Sequence, residues 1–324
     1  MSQQIELNET VPGNLSGNRL DSALAVLFPD YSRTRIKEWI LAGEVRINGE
    51  VKTQPKEKVH EGVQVEIRAA VEEAVVWAPE AIDLDVVFED EHILVINKPA
   101  GLVVHPGAGN SEGTLLNALL HHCPSVVDVP RAGIVHRLDK LTTGLMVVAK
   151  TIIAQTQLVK DLEKRLIVRE YEAIVNGVLT AGGRVDAPIG RHPTKRINMA
   201  VVNNGKPAAT KYRVAEKFRQ HSRLRLRLES GRTHQIRVHM DHLGYPLVGD
   251  PNYGGRLRLP KHASTEFTEI LRGFKRQALH ARMLQLQHPV SCELLQWKAP
   301  TPMDMRVLTV AMRNDLALFQ NPQD

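Results

Sequence analysis

The stretch from Arg131 to Lys150, RAGIVHRLDKLTTGLMVVAK, sets one carboxylate, Asp139, between Arg137 and Lys140 just ahead of an apolar run. An acid held among cations keeps its charged form. A charged carboxylate can act as nucleophile or as base without a metal. A structural ion pair beside a strand has the same appearance, so this stretch alone leaves both readings open. If His136 to Asp139 is extended, Arg137 and Asp139 face one way and Leu138 the other.

A second pattern runs from Ser222 to Met240, SRLRLRLESGRTHQIRVHM. Leu224, Leu226 and Leu228 alternate with Arg223, Arg225 and Arg227. After the ESGR turn, His234, Ile236, Val238 and Met240 alternate with Gln235, Arg237 and His239. Period two predicts two strands, each with an apolar face for the core and a face of cations and hydrogen-bonding groups. Solvated faces usually mix signs. This one is nearly all positive and reads as facing a polyanion, with Arg237 on the polar side beside Gln235 and His239, toward a cleft.

Other chemistries fail on count. His121-His122-Cys123 lacks the second cysteine pair of a zinc site. HLGYPLVGDPNYGG has glycines but neither GxGxxG nor a P-loop, and no Gly-x-Ser-x-Gly elbow occurs. Nothing calls for a metal or a nucleotide cofactor. A glycosidase using Asp139 as nucleophile is disfavoured, because no motif positions a second acid.

These residues need a scaffold, and 324 residues suffice for two domains. Hydrophobic content of 43% and charged content of 24% are ordinary for a folded chain. The net charge of +6 points to a polyanionic partner, nucleic acid ahead of a membrane surface. Acids concentrate between Val71 and Glu91, whereas the arginine-rich stretches come later. Two cysteines, Cys123 and Cys292, give no disulfide framework and suggest a reducing compartment. The start, MSQQIELNETVPGN, has neither the basic nor the apolar part of a signal peptide, and no apolar run is long enough to span a bilayer. The expectation is a cytoplasmic monomer with no membrane partner.

From Gly17 to Ile67 the order is helix, helix, hairpin, strand. Leu20, Ala23, Leu24 and Leu27 recur at helical spacing. Asp30 or Ser32 can cap a second helix carrying Ile36, Trp39, Ile40 and Leu41, stopped at Gly43. VRINGEVK is a hairpin around Asn-Gly, and EGVQVEI alternates as a strand. Arg33, Arg35 and Lys37 cluster at the start of the second helix, where a solvated face is the bland alternative. The stretch 69–82 reads as an acidic linker. Beyond it, HILVINKPAG, TGLMVVAKT, LIVREYEAIVNGVL and LLQWKAP read as strands. TIIAQTQLVKDLEKRL reads as a helix with Ile153, Leu158, Leu162 and Leu166 on one face. Without a regular βαβ repeat, the expectation for 83–324 is an α+β domain on a mixed, largely antiparallel sheet.

Four stretches in this order, INKPAGLVVHPG, GIVHRLDKLTTGLMVVAK, REYEAIVNG and SGRTHQIRVHM, resemble the RluA family of pseudouridine synthases. The unit at 17–68 resembles the S4-type RNA-binding module, whose second helix and hairpin turn face RNA. The resemblance spans nearly the whole chain and includes QALHARMLQLQHP near its end. Leu141 departs from it, standing where proteins of this layout commonly carry an acid.

The resemblance implies the pseudouridine synthase fold and isomerisation of uridine in RNA without a cofactor. It makes Asp139 the essential acid, acting on a flipped nucleotide by attack at the ribose or by initiating proton removal there. It makes Tyr171 the ring that packs against the target base and Arg237 the cation that pairs with the carboxylate. Arg137 would fill the gap left by the extruded base, an unstacking that costs roughly a few kcal/mol. Arg33, Arg35 and Lys37 would touch RNA, as would Arg232 of the ESGR turn. Arg191, Lys195 and Arg196, in the hairpin RHPTKRINMAVVNNGKPAATKY, would grip a stem-loop. The layout implies 23S ribosomal RNA, in its helix 69 stem-loop, as substrate, free or in the assembling large subunit. A sister synthase acting elsewhere and a non-catalytic RNA-binding protein are the alternatives.

Overall fold

The computed structural model describes residues 2–29, 31–72, 77–107, 109–195, 197–255 and 257–320, in two units, Met1–Val76 and Trp77–Asp324. The first unit holds β1 (Ser2–Thr10), α1 (Leu20–Leu27), α2 (Arg33–Ala42), β2 (Val45–Ile47), β3 (Glu50–Lys52) and β4 (Gln64–Glu72). Its antiparallel sheet runs β1-β4-β2-β3. The Ser32 hydroxyl accepts from the Arg35 N–H at 3.3 Å, and Gly43 ends α2 at φ +77°. Asn48 and Gly49, at φ 48° and 84°, make the hairpin turn. Leu20, Leu24, Ile36, Trp39, Ile40 and Ile67 close a core of their own. Asp30, the other suggested cap, lies outside the described residues.

One strand of this unit, β1, escaped the sequence reading. β1 pairs along the whole of β4, from Thr10 opposite Gln64 to Ser2 opposite Glu72. That partner keeps the chain in a ladder through Glu72, so the first residues of the suggested linker are strand.

The second unit holds β5 (Val86–Glu89), β6 (Ile93–Lys98), α3 (Leu115–His122), β7 (Thr143–Ala149), α4 (Ile152–Glu163) and β8 (Val168–Asn176). β9 (Gly183–Asp186), β10 (Ile189–Arg191), β11 (Met199–Val201), β12 (Ala209–Lys217), β13 (His221–Leu228) and α5 (Gln235–His242) follow. α6 (Thr265–Gly273), β14 (Leu279–Gln287), β15 (Leu294–Lys298) and α7 (Met303–Gln320) complete it. The main sheet runs β5-β6-β7-β14-β8-β13-β12-β9, with β15 on β14. Its pairings are antiparallel except β7 with β14. This is the expected α+β architecture. β6 and β7 are buried on both faces: Leu94, Ile96, Met146 and Val148 pack toward α3, while Ile93, Val95 and Val147 pack toward α4. Their sequences are therefore apolar runs, not alternations.

Three local expectations are corrected. THQIRVHM is not a strand but the helix α5. Both edges of β13 are already taken by β12 and β8, so no ladder is open beside it. Gln235 and His239, one turn apart, fasten the helix instead. Gln235 donates to Ala209 O and Thr210 Oγ1 at 3.0 Å each. His239 bonds Thr210 Oγ1 at 2.9 Å and Ala187 O at 3.0 Å. Second, the β13 arginines do not form an open cationic face. Arg223 bonds Glu216 at 2.8 Å and Glu172 at 3.3 Å, and Arg225 also bonds Glu172. The acids come from the neighbouring strands, where a reading of β13 alone cannot see them. Third, the expected α4 face holds only in its middle: Leu158 and Leu162 pack into the core beside Ala154, whereas Ile153 is 70% exposed and Leu166 lies past the helix end.

Candidate catalytic site

Asp139 sits in the loop that leads into β7. Leu138 is buried and anchors the loop, and the Thr142 N–H closes a turn onto Asp139 O at 3.0 Å. From the other side, the buried Lys98 at the end of β6, 1% exposed, donates to Pro99 O (2.7 Å), Leu102 O (2.9 Å) and Lys140 O (3.1 Å). Burial pushes the Lys98 ammonium down to about 7, against the Asp139 charge, which raises it.

Arg237, on the first turn of α5, reaches this carboxylate. Its Nη1 donates to Asp139 Oδ2 at 2.9 Å. Its Nε and Nη2 grip Asp250, at 2.7 and 2.9 Å. Asp250 is oriented in turn by the N–H groups of Asn252 (2.9 Å) and Tyr253 (3.1 Å). Burial opposes the charge on Arg237, but the two carboxylates outweigh it and raise the group above its ordinary range. The Tyr253 ring lies under the guanidinium, 4.9 Å from centroid to Cζ.

His234 precedes α5 in the left-handed region, φ 57°. Its Nδ1 is 2.9 Å from the Tyr253 hydroxyl, which also accepts the Met199 N–H at 2.8 Å. The hydroxyl and Nδ1 share one hydrogen bond, which fixes the ring so that Nε2 faces the carboxylate. Nε2 stands 3.9 Å from Asp139 Oδ1. Burial lowers His234, with Asp139 pulling the other way, which favours the neutral ring near pH 7.

Tyr171, on β8, is 4% exposed and shares a cavity of about 610 Å³ with Asp139, Arg237, His234 and Arg137. Arg131, Arg165, Arg169 and Arg232 also line it. Burial raises the Tyr171 hydroxyl, so the phenol stays protonated at neutral pH. A charged carboxylate beside a buried ring, under a rim of arginines, can receive an unstacked base while its phosphates meet cations.

The structure thus brings Asp139, Tyr171, Arg237, Arg137 and Arg232 together. Arg137 is exposed at the rim, and Arg232 donates to Pro207 O at 3.2 Å. Arg191 ends β10 and Lys195 lies in the loop before β11; both are exposed, and neither lines the cavity. Arg196 lies outside the described residues. In the first unit, Arg33 pairs with the buried Asp21 at 2.9 Å, and Arg35 lies 4.0 Å from Glu38. Lys37 is exposed. Arg33 is therefore partly committed to its own unit.

The sequence reading missed Lys98, His234, Asp250 and Tyr253. His234 stood inside a quoted motif but was placed on the apolar face of a strand. Asp250 and Tyr253 lie in GDPNYGG, a stretch weighed only as a nucleotide loop. A helix at 235–242 would have turned attention to what Arg237 holds.

The model of the RNA pseudouridylate synthase family matches residues 92–242, and that of the S4 domain matches 18–65. The chain is 62% identical over 324 residues to the ribosomal large subunit pseudouridine synthase D of Yersinia pestis, covering 100% of both chains. It is 62% identical to the protein of that name from Escherichia coli K12, covering 100% of this chain and 99% of that one. Among solved structures, human RNA pseudouridylate synthase domain containing 4 superposes with a TM-score of 0.56 at 27% identity. It covers 70% of this chain and 92% of that one.

Proposed function

Because the chain belongs to the RNA pseudouridylate synthase family, with an S4 domain ahead of the synthase domain, we propose that it isomerises uridines of large-subunit ribosomal RNA to pseudouridine, in the helix 69 stem-loop of 23S RNA. The observation that carries the reading is the Asp139–Arg237 pair inside a cavity floored by Tyr171 and rimmed by arginines.

The isomerisation breaks the bond from N1 of uracil to C1′ of the ribose, turns the base, and joins C5 to C1′. C5 then loses its proton and N1 carries one, so the atoms balance without an oxidant or reductant. Asp139 acts at the ribose of the flipped nucleotide. Arg237 holds the carboxylate in place, and its own position is fixed by Asp250. Tyr171 packs against the base. Arg137, exposed at the rim, takes the space the base leaves and offsets part of the unstacking. The S4 domain contributes RNA contacts through α2, and Arg191, Lys195 and Arg196 extend the grip on the stem-loop.

The test is incubation of the wild type and Asp139→Asn with a transcribed helix 69 stem-loop, with pseudouridine counted by a mass-tagging reaction specific to the new base. The wild type should modify the RNA, and the variant should bind it and leave it unchanged. A variant that still makes pseudouridine removes Asp139 from the reaction. A wild type that modifies neither the stem-loop nor large subunits lacking the modification removes the substrate assignment.

A further inference from the structure

Arg169 takes no part in the geometry above, yet its guanidinium lines the same cavity as Asp139 and Tyr171. Its Nε is buried without a hydrogen-bond partner, and among the described residues the side chain makes no ion pair. Guanidinium groups are permanently charged, and a buried donor on one is rarely left unmatched.

Acids are at hand, and none is used. Asp139 is held by Arg237, and Glu229 by Arg184 at 2.9 Å and Lys211 at 3.1 Å. On β8 itself, Glu170 and Glu172 point to the other face of the sheet, where Arg282 and Arg223 meet them. The loop opposite is shaped to admit the group: a Cβ on Gly231 would stand 3.0 Å from Arg169 Nη1. Arg169 therefore stands without an acid partner among the described residues, as do Arg131, Arg137 and Arg165 at the same cavity, and of these it is the one on β8 beside Tyr171 with a buried, unmatched donor.

Position says which anion. Arg169 and Tyr171 are two residues apart on one face of one strand, about 6.6 Å along it. That is the scale of a single nucleotide, base at one end and backbone at the other. Resting on the reading that Tyr171 receives the flipped uridine, we propose that Arg169 binds a backbone phosphate flanking that uridine. β8 would then fix both ends of the nucleotide and present its ribose to Asp139. The planar fork of an arginine suits two phosphate oxygens better than a neutral base edge.

The test uses synthetic helix 69 stem-loops in which one linkage is an uncharged methylphosphonate. It is placed 5′ or 3′ of the uridine that the wild type modifies or, as a control, three nucleotides away. With the wild type, neutralising one flanking linkage should lower kcat/KM about ten-fold or more, and the control linkage should change it little. Arg169→Gln should lose a similar factor on native RNA and lose nothing further on the flanking methylphosphonate. Arg169→Lys, which keeps the charge without the fork, should fall between. The proposal is overturned if no flanking linkage matters to the wild type. It is equally overturned if Arg169→Gln, or Arg169→Met should the former not fold, suffers the full wild-type penalty on the neutral linkage. A wild type inactive on both the native stem-loop and large subunits lacking the modification would instead sink the substrate reading, and this proposal with it.

Discussion

Arg237 donates to Asp139 across 98 residues of chain, Nη1 to Oδ2 at 2.9 Å, with Nε and Nη2 already fixed on Asp250. The candidate acid is thus oriented by a guanidinium that cannot turn without leaving Asp250, whose side chain is fully buried, unpaired. Three bonds in one plane are what an arginine fork supplies and an ammonium does not.

Arg237→Lys should therefore lower kcat by roughly a hundred-fold or more, with a much smaller change in RNA affinity. Arg237→Met should also unfold more easily, by roughly 3–5 kcal/mol, since it strands the Asp250 carboxylate. Single-turnover rates, binding titration and urea unfolding separate the two effects. Equal losses in kcat and affinity would show that Arg237 acts on RNA directly and not by positioning Asp139.

The contrast between these two residues also marks how much of the site could be read from the sequence. Asp139 stood out as an acid among chain-neighbouring cations, yet that stretch alone left a structural ion pair equally open, and the cation that reaches it, Arg237, comes from 98 residues away. The roles expected of Asp139, Tyr171 and Arg237 rest on the family resemblance. The supports of Arg237 were not legible, because Gln235, Arg237 and His239 mimic period two while their contacts follow helical spacing. The cationic face expected of β13 failed for a related reason: Glu172 and Glu216 meet Arg223 and Arg225 from other strands, a long-range pairing that local pattern does not carry. The strands β6, β7 and β8 and the whole helix–helix–hairpin order were legible, since turn chemistry and apolar runs are local. β1 was not, since it is polar and gains its strand geometry from β4.

Lys98 ties the end of β6 to the loop that follows Asp139, so Lys98→Met should disturb both stability and chemistry. Three carbonyls lose a donor, although Lys140 O keeps the Gly101 N–H at 2.9 Å. The expected cost is roughly 3 kcal/mol of unfolding free energy, with a slower single-turnover rate and near-native RNA affinity. An unchanged rate in a folded variant would mean that the Asp139 loop holds its shape without the lysine.

Gly144, the first glycine after Thr142 and Thr143, runs at φ +115° against β14, and a Cβ there would fall 2.3 Å from Ala281 O. The atoms in the way are backbone, so no rotamer change relieves the clash. Gly144→Ala should lower stability by roughly 3 kcal/mol or more, or prevent the synthase domain from folding. Circular dichroism melts would check this, and a variant melting within a degree or two of the wild type would refute it.

Acid should unfold the protein earlier than its carboxylates alone require, because several buried or half-buried histidines are held neutral. Burial pushes His136 down to about 3, His105 to about 4 and His221 to about 4, each helped by nearby arginines. Their folded values lie below the ordinary 6.5, so between about 4 and 6.5 the unfolded chain binds more protons. The stability they allow is complete above pH 6.5 and is lost as pH falls, at about 1.4 kcal/mol per pH unit for each ring. His136 is the clearest case, since its Nε2 accepts the Val147 N–H at 3.1 Å and a proton there would end that bond. His136→Gln can keep an acceptor at this place without titrating. Its unfolding free energy, from urea melts between pH 5 and 6.5, should fall less steeply than that of the wild type by about that amount per unit. The two should converge in slope above pH 7. A variant with the wild-type slope would mean that the ring takes up its proton in the folded state, and that the Val147 bond does not hold it neutral.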